Sequence, residues 1–504
     1  MSSSVGGQQF YSALQKKAQA AVSSIFKSKL IPIQYPAQGD FMYNWQSPNQ
    51  VFNNGTYSYI DACVSPGQVP DTAQLSTAGG FANSYVQVLN NIIYSLNSED
   101  QGKLQQAQSN ASVQAGTIVS DYQTTYGTIT QQQMDDAGVL TKQDYVISYV
   151  LGSLWSGKKA AGEPPISYST MATARNLKQL LPAAPMTADQ IITDVTVYLN
   201  LMQPVNGLSD DLQNGAWTIQ SLKNNTSTPS ESNGGMKTVN PNDGSVLPGY
   251  TNGWGINKSM AAITNDLQNT GRTIQLGMTT SQASGGNVSV SVEGQAGFSI
   301  GSWLKFSTEA SGSYDMSKAH GTSTDCSVSI TYQGYSMIPM SPAAWQQATN
   351  SGFYDADPIR QAVKNTGQDV TGFKFLHPSP FNMGDISDGG NFGLLSNLLI
   401  ANYPTISITY QKADFSSFKQ SWSEKVTGNL TLFGFIKLGS FSQGAYGSSY
   451  EEGKDNSTFT VTFSASPEVT SVPQLQKTAY VIGGAVQNPG VDTANSMREN
   501  LSAA

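Results

Sequence analysis

The chain has 504 residues, of which 38% are hydrophobic and only 12% charged, with 26 Lys and Arg against 34 Asp and Glu for a net charge of -8. Soluble domains ordinarily carry about 25% charged residues; here 48 glycines and many Ser, Thr, Asn and Gln side chains take their place. This balance excludes a broad nucleic-acid surface, which needs concentrated Lys and Arg, and 23 Tyr, 19 Phe and 7 Trp are too much core material for a disordered chain.

The mean hydropathy is -0.28 and the pI about 4.9, so the missing charge has not been replaced by apolar residues. A chain of this length implies about two to four domains. No apolar run approaches the roughly 18 residues of a transmembrane helix, and MSSSVGGQQFYSAL lacks the basic and apolar regions of a secretory signal. The location is therefore read as cytoplasmic, or as export without a conventional signal peptide.

Residues 9–29 carry Leu14, Ala18, Ala21, Val22 and Ile25 at helical spacing beside Lys16, Lys17, Lys27 and Lys29. Such a helix either docks on its own domain or lies on an anionic membrane. Residues 35–80 are rich in turns. Phe81, Tyr85, Val88, Leu89, Ile92 and Leu96 then predict one helix, and Leu104, Ala107, Ala111, Ile118 and Tyr122 a second. Thr141 with Asp144 caps a third, through Val146, Tyr149 and Leu154. Thr187 and Gln190 form a capping box before Ile191, Val195 and Leu199. Pro204 is expected to end that helix, and Leu208 to Leu222 to form another.

Asn224 to Gly253 is the clearest loop or linker, dense in Gly, Pro, Asn and Ser. A further helical pattern follows through Ile256, Met260, Ile263, Leu267 and Ile274. After Gly285 the period changes to two. Val288, Val290 and Val292 alternate with serine and glutamate, as Val328 and Ile330, Ile406 and Ile408, and Val461 and Phe463 alternate with Ser and Thr. These are half-buried antiparallel strands, apolar on one face and hydroxylated on the other. GFSIGSWLKFSTEASGSYD followed by CSVSITYQ resembles in order GFIKLGSFSQGAYGSSYEE followed by TFTVTFSA. The two read as a duplicated hairpin unit, or as shared Ser/Gly composition alone. Between them, Asp357 and Pro358 start a short helix, and Phe392 to Ile400 reads as another.

Side chains that could carry chemistry are few. His377 precedes a proline, with Asp385 and Asp388 downstream; His320 lies in a turn. Neither has metal-ligand spacing, and a structural or surface role is the simpler reading of both. Asp355, Asp357, Asp385 and Asp388 form a loose acidic group, but DISDGG lacks the spacing of a calcium loop and reads as an Asp-stabilised turn. Cys326 shares the inward face of its strand, and Cys63 lies in a turn-rich stretch. Whether they pair is not legible. No phosphate loop, dinucleotide fingerprint or nucleophile elbow is present, so no catalytic, cofactor-binding or metal residue is assigned and no cofactor is implied.

The expected fold is α+β: a mainly helical N-terminal bundle followed by an antiparallel β-rich region. The expected segments are 1–80, a helix and turn-rich region; 81–284, the bundle with its 224–253 loop or linker; 285–475, the β-rich domain with a mixed 333–404 insertion; and 476–504, a tail. The leading functional reading is a non-enzymatic binding, assembly or structural protein whose neutral polar surface meets protein or its own copies. An oligomerising, pore-forming protein that meets a membrane surface is the alternative, and a hydrolase the weaker third. Nucleic acid is not an expected partner.

Overall fold

The structure, a computed structural model, describes residues 31–34, 41–45, 51–67, 73–76, 80–151, 189–241, 243–269, 271–279, 304–308, 312–314, 327–411, 429–432, 436–438, 446–454, 457–465 and 478–491. The helix expected at 9–29, the strand through Val288, Thr187, His320 and Cys326 lie outside the described residues.

In chain order, β1 (Ile31–Gln34), β2 (Phe41–Met42) and β3 (Phe52–Asn53) lead into α1 (Asn54–Ile60). Then come β4 (Cys63–Pro66), β5 (Ala73–Ser76), α2 (Gly80–Leu89) and β6 (Ile92–Ser95). Helices α3 (Ser98–Tyr126), α4 (Gln131–Ala137), α5 (Lys142–Leu151) and α6 (Asp189–Ser227) follow. Next are β7 (Thr238–Val239), β8 (Trp254–Ile256), α7 (Met260–Gln268) and β9 (Thr273–Thr279). After β10 (Leu304–Thr308), β11 (Gly312–Tyr314), β12 (Ser327–Gln333) and β13 (Tyr335–Pro342) comes α8 (Asp357–Lys364). The remainder is β14 (Gly372–Phe375), β15 (Leu394–Ala401), β16 (Thr405–Gln411), β17 (Asn429–Leu432), β18 (Ile436–Leu438), β19 (Tyr446–Glu452), β20 (Thr458–Ala465) and β21 (Thr478–Gln487). The fold is mixed α+β, and most of its strand pairs are antiparallel.

Two compact units divide the chain, one made of residues 92–220 and 361–376 and the other of the rest. The smaller unit is built on well-capped helices. Asn97 accepts the Asp100 N–H at 2.6 Å to start α3, with Glu99 and Asp100 in the first turn against the helix dipole. Thr130 and Gln133 form a reciprocal capping box on α4, and Thr141 caps α5 by accepting the Asp144 N–H at 3.0 Å. Ile118, Val146, Ile147, Ile191, Val195 and Leu199 share one buried cluster. On the outer faces, amides answer carboxylates and amides one turn away, as Gln132 does Asp136 at 2.8 Å and Gln106 does Asn110 at 3.0 Å.

Several sequence expectations change here. The helix from Phe81 stops at Leu89, and Ile92–Ser95 instead pairs with β14, where Tyr94 meets Phe373 edge-on at 5.2 Å. Helix α6 runs unbroken through Pro204. The hydrogen bond lost at proline is outweighed by the buried side chains on either side, Ile191 to Leu199 before it and Val205 after. Ile256 and Ile274 belong to strands, leaving only Met260–Gln268 helical.

In the larger unit an eight-stranded sheet runs β4-β5-β1-β21-β15-β13-β8, with β2 also on β21. Where a helix was expected from Phe392 to Ile400, Leu394–Ala401 form β15 near its centre; seven of the eight side chains are buried, on both faces. Thr478–Gln487, expected in a tail, form β21 beside it. Phe81, Tyr85, Trp254, Phe353, Tyr354 and Phe392 pack in one aromatic cluster, Phe81 stacked on Phe392 at 5.2 Å. A second sheet runs β9-β12-β16-β20-β19 and a third β11-β10-β17-β18.

The chain passes from the second sheet to the first at Gly334, between β12 and β13, and back at Asn402, between β15 and β16. The two crossings are tied together. Asn402 donates its backbone N–H to Gly334 O at 3.1 Å and its side-chain amide to Gln333 O and Leu267 O, each at 2.7 Å. Gly334 has φ +70°, and a Cβ there would lie 1.9 Å from Leu267 O. Gly334→Ala is therefore expected to lose at least about 2 kcal/mol, through both left-handed strain and the clash. Denaturant unfolding read by circular dichroism checks it, and a change below about 0.5 kcal/mol would contradict this account of the crossing.

Candidate functional site

The five-stranded sheet has two chemically distinct faces because apolar and polar residues alternate along β12, β16 and β20. One cross-strand row holds Leu276, Ile330, Ile406 and Phe463; the next holds Met278, Val328, Ile408 and Val461. Ile406, Ile408, Val461 and Phe463 are fully buried. On the opposite face, Gly277, Ser329, Ser407, Thr462 and Ser449 lie side by side. So do Thr279, Ser327, Thr409, Thr460 and Glu451. Hydroxyls in these rows bond to each other, Ser407 to Thr462 at 3.1 Å and Thr409 to Thr460 at 2.9 Å, while Gln275 donates to Ser329 at 3.2 Å. Such a face stays wettable with almost no charge.

The centre of this sheet joins two remote stretches. Strands β9 and β12 bracket residues 280–326; β16 and β20 bracket 412–457, a stretch that ends in β19 at the edge of the same sheet. The two pairs meet through β12 and β16, from Ser327 opposite Thr409 to Thr331 opposite Thr405. The strands inside the brackets meet as well. Hairpin β10–β11 and hairpin β17–β18 lie side by side through β10 and β17, from Leu304 opposite Leu432 to Ser307 opposite Asn429.

The titratable groups singled out in the sequence are scattered. His377 is exposed at a bend. Asp385 accepts both the N–H and the hydroxyl of Ser387, at 2.8 and 2.6 Å, and so starts a short 3-10 turn that contains Asp388. Asp355 accepts the Asp357 N–H at 2.9 Å; its backbone N–H and carbonyl both engage the Tyr85 hydroxyl. Burial raises the Asp355 carboxyl pKa. Asp357 opens α8 and pairs with Arg360. Cys63 is a free, buried thiol whose pKa is raised by burial. Among the described residues no group of three or more His, Cys, Asp or Glu could hold a metal ion.

Among the described residues the most perturbed carboxylate is one that sequence reasoning missed. Asp61 follows α1, takes the N–H of Phe81 on its backbone carbonyl, and accepts the Ala82 N–H on its side chain at 3.1 Å. Burial pushes its pKa up to about 7, against the lowering effect of Ala82 and of the Trp254 indole. That indole N–H is buried and lacks a hydrogen bond of ordinary geometry. Gly80, with φ +62°, permits the approach, since a Cβ there would sit 2.2 Å from Asp61 Oδ2. No local motif marks Asp61, because its partners lie on α2 and β8. In the smaller unit the neighbouring Asp194 carboxylate raises the Asp121 pKa; Gln114 and Gln190 also reach Asp194.

Two small cavities are lined by neutral groups. One, of about 280 Å³, lies at the strand crossings and includes Tyr43, Thr264, Gln268, Gln333 and Asn402. The other, of about 160 Å³, lies beside Trp45. Neither combines a nucleophile with a base. Among the described residues no helix is long and apolar enough to cross a membrane. No model of a known protein family, no curated protein and no solved structure matches the chain.

Proposed function

We propose that this is a non-enzymatic protein that self-assembles and, once assembled, delivers two duplicated β-hairpin units to a membrane. One observation carries the reading: β9/β12 and β16/β20 lie side by side in one antiparallel sheet, and the stretches they bracket pair again through β10 and β17. Each stretch between strands of that sheet, 280–326 and 412–445, is long enough for two strands of about 9–11 residues, the length that crosses a bilayer. Lipid admits strands only in a closed barrel whose backbone groups are all paired, and closure needs several copies when each contributes few strands. Alternation of hydroxyl and apolar side chains suits a wall with water on one side and lipid on the other. A net charge that is small for the length reduces long-range repulsion between copies.

The expected result is dye release from vesicles by the folded chain, rising more steeply than linearly with protein concentration, together with large oligomers on those vesicles by light scattering. Absence of release from neutral and anionic vesicles across pH 5–8 would remove the membrane step. A concentration-independent monomer, in solution and on vesicles, would remove the assembly step.

A further inference from the structure

We infer that Asn54 and Gly55 form a site of spontaneous covalent modification, at which the asparagine deamidates to aspartate and isoaspartate. The Gly55 backbone nitrogen attacks the Asn54 Cγ. A bond forms between these two atoms and the Cγ–Nδ2 bond breaks. Nδ2 leaves as ammonia, carrying the Gly55 amide proton. The cyclic succinimide then takes up one water. Opening at Cγ gives aspartate, and opening at the backbone carbonyl gives isoaspartate, whose main chain runs through the side-chain carbons. No oxidant or reductant is needed, and water is the sole co-reactant.

A glycine after the asparagine favours this attack, because no Cβ shields its nitrogen or limits its rotation. The chain holds five such pairs, at Asn54, Asn206, Asn214, Asn233 and Asn252, and their surroundings separate them. Asn206 and Asn214 lie inside α6, where the helical ladder holds the next N–H. Gly234 donates its N–H to Glu231 O at 3.2 Å, and the Asn233 amide donates to Thr228 O at 3.0 Å. Asn252 is 8% exposed, and its amide donates to Thr226 O at 3.2 Å. Asn54 differs from all four. It is exposed, and its side chain has no hydrogen-bond partner among the described residues. The Gly55 N–H lies in the first turn of α1, where the helix itself supplies no acceptor. The capping Asn53 side chain takes the Thr56 N–H at 2.8 Å instead. As the first helical residue, Asn54 can rotate its Cγ onto the Gly55 nitrogen by opening only the helix end.

The two products differ in what they do to α1. Isoaspartate lengthens the main chain between residues 54 and 55, and so pushes Thr56 off the Asn53 cap. Little around the helix can give way. Thr56, Tyr57, Tyr59 and Ile60 are buried; the Thr56 hydroxyl donates to Met42 O, and the Tyr57 hydroxyl to Asn252 O at 3.1 Å. Aspartate keeps the main chain and places a negative charge at the positive end of the helix dipole. Isoaspartate therefore destabilises the larger unit, whereas aspartate does not. The site stands independently of the membrane reading.

The test incubates the folded full chain in warm, mildly alkaline buffer made with heavy-oxygen water. Digestion in ordinary water and peptide mass spectrometry then locate the oxygen label and separate aspartate from isoaspartate. Label should enter residue 54 at least about tenfold faster than residues 206, 214, 233 and 252, whose local structure must open first. Gly55→Ala, checked for native circular dichroism, should slow labelling at residue 54 about tenfold, through its Cβ and its greater helix propensity. Aged parent chain should lose unfolding midpoint in proportion to its isoaspartate content, while aged Asn54→Gln keeps its midpoint. Labelling at residue 54 no faster than at the other four sites overturns the inference, and this arm uses the parent chain alone. Labelling that a folded Gly55→Ala leaves unchanged overturns the succinimide route. An unchanged midpoint in chains rich in isoaspartate overturns the effect assigned to α1.

Discussion

Ile408→Asp should unfold the five-stranded sheet, whereas Ser407→Val, one residue away, should leave it standing. Ile408 is fully buried in the central strand, directly opposite Val328 on one side and Val461 on the other. Aspartate there removes the apolar volume and places a carboxylate between the aliphatic side chains of Val328 and Val461. The two effects together cost more than about 4 kcal/mol. A domain's whole stability is only about 5–15 kcal/mol. Ser407 points to the other face, where its hydroxyl bonds to Thr462. Valine removes that bond, but Thr462 is only half-buried and its hydroxyl can turn to water. The loss is then about 1 kcal/mol or less. Denaturant unfolding of both variants is the measurement. Equal tolerance at the two positions would show that the sheet does not have one apolar and one wet face. On the membrane reading proposed above, Ile408→Asp should also abolish dye release.

The same alternation decides what could be read from the sequence. Strands β12, β16 and β20 were legible because each buries every second residue and turns Ser or Thr to the other side. Strand β15 was not. In LLSNLLIA nearly every side chain is buried, so its period is lost, and a short apolar run reads equally well as a helix. Strand β6 hid for a related reason: Ile92 and Leu96 extend the i, i+3, i+4 spacing set by Phe81, Tyr85 and Leu89, and only pairing with the remote β14 reveals the break. Pro204 misled in the opposite direction, because a buried stripe on both sides holds α6 together across it. The neutral composition was legible, and the hydroxyl rows and amide contacts give it a location. The Trp45 cavity was not, because its wall comes from two loops about 200 residues apart in sequence. Local pattern carries faces; it does not carry convergence.

Asp61→Asn should stabilise the larger unit at neutral and alkaline pH and flatten its pH dependence. In the folded chain the Asp61 carboxyl has a pKa of about 7, raised from the ordinary 3.8 mainly by burial. The native state therefore holds a proton that the unfolded chain releases. Between pH 4 and 7 the native state binds more protons than the unfolded one, so stability falls as pH rises through this window. Below the unfolded pKa the contribution is fully present; above about pH 7 it is lost. A shift of this size corresponds to about 4 kcal/mol, an upper bound because the side chain is not wholly enclosed. The groups nearest the carboxylate do not reverse the sign. Tyr57 and Cys63 both have raised pKa values, so they remain neutral throughout the window. Asp355 and Asp121, also raised, act in the same direction on their own surroundings. Asparagine keeps an oxygen for the Ala82 N–H that opens α2, and it carries no charge to bury. Unfolding free energies from pH 4 to 9 should thus diverge, the variant gaining on the parent chain as pH rises. A variant less stable than the parent at pH 8 would mean that the charged carboxylate is well solvated or paired, and that the junction of α1 and α2 does not penalise charge.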